Sequence, residues 1–222
     1  MPATLILFSG GIESTVLAYQ LHRAKRDINL LAVDYGQRHR NEHEFARKTA
    51  ARLGAPFREV DVRDIGSLQP GNSLTDPSVP VPDHGSAVSG RINIVPNRNV
   101  ILLSVAFAAA ITNKADQVAI GAMAGDSQTG DCTQAFVDSF NAMEHVATAE
   151  FAPGHLEVVA PLVTLKKYEV IQLGEDLGVH WEETWSCFKG DDLQCGTCAT
   201  CHDRRTAFEQ AGVSDPTIYA RG

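Results

Sequence analysis

The sequence predicts the α/β class: a parallel sheet with helices on both faces, plus a small helical appendage at the C-terminal end. Three observations predict it. Short apolar runs alternate with segments of helical period through residues 5–61, and their short connections are those of consecutive β-α-β units. A glycine pair, Gly10-Gly11, stands where the first of these runs turns into its helix. Four of the five cysteines crowd into residues 187–201, which sets the tail apart from the rest of the chain.

Residues 5–8 (Leu-Ile-Leu-Phe) read as a buried strand entering the tight turn Ser9-Gly10-Gly11. Residues 14–24 follow as a helix with Leu17, Leu21 and Ala24 on one face. Residues 29–33 form the second strand, ending at Asp34-Tyr35-Gly36. Residues 42–53 form the second helix, with Phe45, Ala46, Thr49, Ala50 and Leu53 in register and Gly54 as its C-cap. Residues 57–61 are the third strand. Residues 62–97 break the rhythm and hold five of the ten prolines. A loop of this length is usually functional or disordered, and a lid or substrate loop is the reading adopted here. Asn99 is placed to cap a helix over residues 100–113, apolar nearly all round and so expected to be deeply buried. Residues 117–120 give a fourth strand, 133–149 a helix, and 157–160 a fifth strand. Residues 166–177 give a helix with Val170, Leu173 and Leu177 aligned. The expected division is a main domain over 1–180 and a cysteine-bearing region over 181–222.

Composition narrows the partners. The 222 residues carry 27 acids against 19 bases, a net charge of −8. A chain whose main task is gripping nucleic acid usually has the opposite sign, so stable nucleic-acid binding is not expected. Residues 1–8 show no basic n-region and no cleavage pattern. The longest apolar stretch, 100–111, falls short of the roughly 18 residues that span a bilayer. A cytoplasmic protein without a membrane anchor is the expectation, and the cysteine pattern is not that of a secreted disulfide framework.

In a sheet of this kind ligands bind at the carboxyl ends of the strands, where Ser9–Gly11 and residues 34–39 both fall. Phe8-Ser9-Gly10-Gly11-Ile12-Glu13-Ser14-Thr15 has the makings of an anion cradle. Glycines let backbone N–H groups approach phosphate oxygens, and the helix N-terminus adds partial positive charge. Ser9, Ser14 and Thr15 supply further donors, and Glu13 can hold a magnesium ion bridging phosphates. The segment is neither a Walker loop nor a G-x-G-x-x-G fingerprint. An ordinary strand–helix turn capped by Ser14 is the plain alternative.

Cys187, Cys195, Cys198 and Cys201 are spaced as a tight knuckle. Four thiolates complete a tetrahedron around Zn²⁺ with no open position, so the expected role is structural, worth on the order of 10 kcal/mol of folding free energy. Four cysteines also suit an iron–sulfur cluster, which stays open as an alternative.

The glycine turn resembles the signature S-G-G-x-D-S of the PP-loop ATP pyrophosphatases, with Glu13 standing where that family usually has Asp. Over almost the whole chain the resemblance narrows to the 7-cyano-7-deazaguanine synthases of the queuosine pathway. The matching segments are Phe8-Ser-Gly-Gly-Ile-Glu-Ser14, Asp34-Tyr-Gly-Gln-Arg-His39, Ser73-Leu-Thr75, Val79-Pro-Val-Pro-Asp83, Val95-Pro-Asn-Arg-Asn99, Gly130-Asp-Cys132, Pro161-Leu162 with Lys167 and Glu169, and the cysteine cluster. The resemblance implies a Rossmann-like PP-loop sheet with a zinc-binding appendage, Mg²⁺ used with ATP, and a homodimer. It also implies a reaction. The carboxylate of 7-carboxy-7-deazaguanine attacks the α-phosphorus of ATP, ammonia displaces AMP to give the amide, and a second ATP drives the amide to the nitrile. ATP is then held by Phe8, Ser9, Gly10, Gly11, Ile12, Glu13, Ser14, Thr15, Val16, Leu17 and Ala18. Glu13, Lys167 and Arg98 are the catalytic candidates. Arg38, His39, Asp126 and Asp131 are candidates for substrate contact. Cys132 is expected to be a packing cysteine rather than a nucleophile.

Two departures stand out. Asn97 replaces a usual Gly, and the aromatic-rich stretch Asp-Tyr-Ser-Gly-Tyr-Pro-Asp-Cys-Arg reads Asp126-Ser-Gln-Thr-Gly-Asp-Cys-Thr133 here. The altered segment keeps open a relative that stops at the amide or transfers the acyl group to another amine, such as a protein N-terminus. A tRNA-thiolating PP-loop enzyme and a zinc-stabilised binding module without turnover are further alternatives.

Overall fold

A computed structural model describes residues 3–88, 90–124 and 130–221. β1 (Ala3–Leu7), β2 (Asp27–Asp34), β3 (Phe57–Asp61), β4 (Gln117–Ala119) and β5 (Glu157–Val159) form one sheet in the order β3-β2-β1-β4-β5. Every pairing is parallel, with Ile6 beside Leu30 and beside Ala119 in the centre. Successive side chains of a strand face opposite ways, so β1 feeds two cores. Ile6 joins the cluster under α1 (Ile12–Arg23) and α6 (Lys167–Leu177), with Val16, Leu17, Val170 and Ile171. Leu5 joins the cluster under α4 (Arg98–Thr112) and α5 (Gln134–Ala147), with Leu103, Phe107 and Phe140. The expected α/β class with helices on both faces is the fold observed.

α2 (Glu42–Leu53) ends at Gly54, left-handed at φ 62°, as the sequence suggested. Two readings of α4 are corrected. The helix starts at Arg98, and its N-cap is Asn97 at φ 60° and ψ 16°. Asn99 therefore lies inside the first turn and does not cap. Its Nδ2 instead donates to the Asp131 carbonyl at 3.1 Å and to Cys132 Sγ at 3.4 Å. Nor is the helix buried all round: Leu103, Ala106, Phe107 and Ala110 face the sheet, while Ser104 and Ala108 are exposed. Asn97 also accounts for one departure from the family pattern. The left-handed position suits glycine, and asparagine is among the side chains that tolerate it best.

By length and composition Gly90–Thr112, of mean hydropathy 1.7, passes for a membrane span. It is not one continuous rod, because Pro96 and the left-handed Asn97 separate α4 from the short 3₁₀ turn Gly90–Asn93. The 15 residues of α4 extend only about 22 Å, short of the ~30 Å hydrocarbon core.

Residues 62–97 carry the short helix α3 (Asp64–Ser67) and three buried anchors, Leu74, Val81 and Val95. These pack with Tyr35, Trp185 and the four cysteines in a third cluster. The tail contributes the 3₁₀ turn Trp181–Glu183 and α7 (Ala199–Ala211), which lies against α6. Phe208 of α7 meets the Trp181 ring edge-on at 5.2 Å.

Candidate active site

The glycine turn leaves the end of β1 and is gripped from three sides. Gly10 sits at φ +85°, and a Cβ there would lie 2.5 Å from the Glu42 carbonyl and 2.8 Å from the Ala46 nitrogen of α2. Its own carbonyl accepts from the Trp185 N–H at 3.0 Å. Beneath the first turn of α1, a Cβ at Gly121 would come within 3.0 Å of the Ser14 nitrogen. These close approaches explain why the sequence has glycine at both places.

Inside this grip the polar groups face one another. Ser9 Oγ accepts from the Gly11 N–H at 3.2 Å, and Ser14 Oγ accepts from the Ser9 N–H and donates to the Gly11 carbonyl, both at 3.3 Å. No side chain caps α1, whose N-cap is Gly11. Thr15 Oγ1 is buried and has no hydrogen-bond partner among the described residues. A helix start left uncapped beside an orphaned hydroxyl is a fit for phosphate oxygens. Glu13, in the same turn, is 2.9 Å from Lys167 Nζ at the start of α6. Burial pushes the Glu13 carboxyl up, but the charge and hydrogen bond of Lys167 outweigh it and hold the group below its ordinary value. That carboxylate is ionised and, with its neighbour's amine, suits a nucleotide phosphate and its magnesium ion. Phe8, Ile12, Val16, Leu17 and Ala18 are core side chains that seat the turn.

A second polar group gathers at the ends of β2 and α4. Arg98 Nε donates to Asn99 Oδ1 at 3.3 Å, and its charge is felt by Tyr35, Asp131 and Cys132. Burial works against its charge, but Tyr35, Asp131 and Cys132 keep the guanidinium above its ordinary value. His39 is buried with its ring 5.3 Å from Phe188, and its Nδ1 has no partner among the described residues. Burial, then the Arg98 and His43 charges, hold that imidazole down at about 3, so it is neutral at working pH. Arg38 is placed elsewhere than sequence suggested. Its guanidinium donates to the carbonyls of Ser73, Asp76 and Val79 and pins the 62–97 segment. Asp126 lies outside the described residues. Cys132 packs in the α4/α5 cluster and accepts from Asn99.

Sequence reasoning missed Gln37, Glu42 and His43. Gln37 Oε1 accepts from the Tyr35 N–H at 2.9 Å, and its Nε2 reaches Glu42 Oε1 at 3.2 Å and His43 Nε2 at 2.9 Å. The available signal was the continuation of the Asp34–His39 motif into the first turn of α2. It also missed Arg204, which is fully buried and holds the segment carrying Trp185.

The sulfur atoms of Cys187, Cys195, Cys198 and Cys201 all lie within 4.8 Å of one another and are buried. Sulfurs around one tetrahedral ion stand about 3.8 Å apart. Backbone N–H groups point at the sulfurs: Lys189 and Cys195 at Cys187, and Thr197 and Cys198 at Cys195, at 3.3–3.4 Å. Four buried sulfurs gathered this closely fit one metal ion.

The fold and the site together define a PP-loop-type nucleotide-handling enzyme with a cysteine knuckle that could hold a metal ion. The Queuosine biosynthesis protein QueC family matches residues 3–212, and the chain belongs to that family. It is 43% identical over 217 residues to a protein of Mesorhizobium japonicum named 7-cyano-7-deazaguanine synthase 1, covering 97% of this chain and 92% of the relative. A Rhizobium etli protein named 7-cyano-7-deazaguanine synthase is 43% identical, covering 97% and 91%. Among solved structures, one described as a "predicted subunit of tRNA methyltransferase" from Methanocaldococcus jannaschii aligns with a TM-score of 0.52 at 15% identity. That match covers 100% of this chain and 93% of the other, and it speaks to the fold alone.

Proposed function

We propose that this enzyme is an ATP-dependent ligase that adenylates the carboxylate of 7-carboxy-7-deazaguanine and, with ammonia, converts it through the amide to 7-cyano-7-deazaguanine. The observation that carries the reading is the uncapped start of α1, where the Thr15 hydroxyl finds no partner among the described residues and the Glu13–Lys167 pair stands alongside. The names of the 43% identical relatives support it.

A carboxylate oxygen is a poor leaving group, and adenylation replaces it with AMP. The first-turn N–H groups of α1, Ser9, Ser14 and Thr15 hold the pyrophosphate part of ATP, stabilising the charge that grows there as the bond breaks. Mg²⁺ bound with ATP would supply further charge neutralisation, and Glu13 is the carboxylate that would hold it. Lys167 leaves Glu13 to meet the same phosphates. Arg98, beside Tyr35 and Asp131, faces the acyl substrate or the α-phosphate. His39 and Asp131 border the deazaguanine, and Asp126, outside the described residues, is a further candidate for substrate contact. Residues 62–97, held by Arg38, form the wall or lid over it. The knuckle ion is Zn²⁺, closed by four thiolates and structural. The working unit is a cytoplasmic homodimer using free or delivered ammonia.

The test is incubation with ATP, 7-carboxy-7-deazaguanine and ammonia, with products identified by mass spectrometry and AMP and pyrophosphate counted. Nitrile with AMP and pyrophosphate supports the reading; no acid-dependent pyrophosphate release refutes it. The altered stretch 126–133 favours a second reading, in which the enzyme stops at the amide or passes the acyl group to another amine. Amide alone, or product only with a macromolecular amine, would select it.

A further inference from the structure

The proposed chemistry sheds protons, and no base has yet been assigned to them. In the step from carboxamide to nitrile, the amide oxygen bonds to the α-phosphorus, pyrophosphate leaves, and one N–H proton departs to give a neutral imidate ester of AMP. The second N–H proton departs as the C–O bond breaks; AMP takes that bond's electron pair and the C≡N bond closes. Both protons leave one nitrogen inside a protein site. The Glu13 carboxylate is assigned to Mg²⁺, and His39, held at about 3, is too weak a base.

Against the phosphate loop stands a carboxyl group that none of this employs. Glu42 opens α2, and its main-chain carbonyl is the atom that a Gly10 Cβ would strike. Its side chain is only 13% exposed, with Oε1 3.2 Å from Gln37 Nε2, 3.8 Å from His39 Nε2 and 4.0 Å from His43 Nε2. The other charged or titratable groups facing it are Arg98 of α4 and Asp34 and Tyr35 at the end of β2. From His43 a path leads outward. Its Nδ1 is 3.3 Å from Glu59 Oε1 on β3, whose 28% exposed carboxylate pairs with Arg47 at the surface.

We infer that Glu42 is the general base that takes protons from the substrate nitrogen, and that His43 and Glu59 carry them to solvent. The inference rests on the function proposed above. One carboxylate accepts one proton at a time, and the reaction delivers two, so the base must be emptied between them. An imidazole between two carboxyl groups does this by accepting at Nε2 and releasing from Nδ1, once the Gln37 amide, 2.9 Å from Nε2, swings aside and Glu42 closes the 4.0 Å gap. Burial pushes the Glu42 carboxyl up to about 8, against the Gln37 hydrogen bond and the Arg98 charge, which places its proton exchange near working pH.

The test separates the two half-reactions in the full-length, metal-loaded enzyme. Carboxylate-dependent exchange of pyrophosphate into ATP needs no base, whereas conversion of the 7-deazaguanine carboxamide to nitrile needs one and involves no ammonium. Glu42→Gln is expected to retain exchange within about threefold and to lose about 10²-fold or more in nitrile formation, with the KM for the amide little changed. The wild-type rate on the amide should rise with pH through a midpoint near 8, a limb that Glu42→Asp retains in part and Glu42→Gln lacks. Glu59→Gln, at the surface, should slow the same step severalfold and recover with added imidazole buffer. Undiminished nitrile formation by Glu42→Gln overturns the inference. Equal loss of exchange and nitrile formation also overturns it, because the residue then serves folding or nucleotide binding. Absence of exchange in the wild type would instead sink the function on which the inference rests.

Discussion

Replacing Arg204 with methionine removes a cation that is fully buried on α7. The guanidinium donates to Asp215 at 3.1 Å, to Thr184 Oγ1 at 2.7 Å and to the Trp181 carbonyl at 3.1 Å, and lies 4.9 Å from the Phe208 ring centre. Methionine restores much of the apolar stem but leaves the partly buried Asp215 with only its hydrogen bonds from Tyr219 and Thr217, and breaking a buried pair from one side costs about 3–5 kcal/mol. At roughly 2–4 °C of Tm per kcal/mol for a chain of this size, the expected loss is roughly 6–20 °C. The effect has a pH signature. Burial pushes the Asp215 carboxyl up, but Arg204 and the hydrogen bonds from Tyr219 and Thr217 hold it below its ordinary value. A depressed carboxyl contributes stability that is present above its unfolded pKa of about 3.9 and is lost as pH falls through the folded value. The gap between wild type and variant should thus be full at neutral pH and narrow below about pH 4. Thermal unfolding followed by circular dichroism at both pH values checks this. A Tm loss under about 2 °C at neutral pH, or a gap that widens on acidification, would refute the reasoning.

Gly10→Ala puts a methyl group against the Glu42 carbonyl at a backbone angle that L-residues avoid; acid-dependent pyrophosphate release should fall about 10²-fold or more. Lys167→Met removes the charge that depresses Glu13, so burial acts more freely on that carboxyl. Turnover should drop, and the acid limb of its pH profile should move to higher pH; an unmoved limb counts against the pair. Cys201→Ser leaves three thiolates for the knuckle ion, so metal content by atomic absorption should fall and the Tm with it, as in wild type treated with a chelator. Gly174→Ala drives a methyl into the Trp181 ring and Val16. It should cost about 1–3 kcal/mol in chemical denaturation while activity per folded molecule holds.

Much of this molecule was legible because its signals are local. The strand–glycine–helix turn at 8–15, the Gly54 cap and the cysteine spacing each follow from neighbouring residues, and the parallel sheet follows from their alternation. What was not legible depends on packing between distant segments. Asn99 reads as a cap until the left-handed Asn97 starts the helix two residues earlier. Arg38 follows a strand end as a ligand contact would, yet the 62–97 segment folds back and occupies its donors. Glu42 looks like an ordinary first-turn acid on a surface helix. Only the approach of α2 to the Gly10 turn buries it, and burial makes it hard to ionise against the pull of Arg98 from α4.

The same logic explains why the cysteine tail belongs to a nucleotide site far from it in sequence. A cradle of uncapped N–H groups works only if it is rigid before the phosphates arrive, because reorganising it would consume the stabilisation it offers. Gly10 can flex in either direction on its own. It is fixed because α2 closes on one side and the Trp185 N–H on the other. Trp185 in turn is fixed by its indole N–H to the Cys187 carbonyl at 2.8 Å, and its neighbour Thr184 by Arg204. Cys187 is one of the four clustered cysteines, and Arg204 follows Cys201 by one turn of α7. An ion held at the knuckle would therefore set the position of one wall of the Ser9–Ser14 turn through two short connections. Under the proposed function, such an ion would have a consequence for ATP affinity without touching the nucleotide.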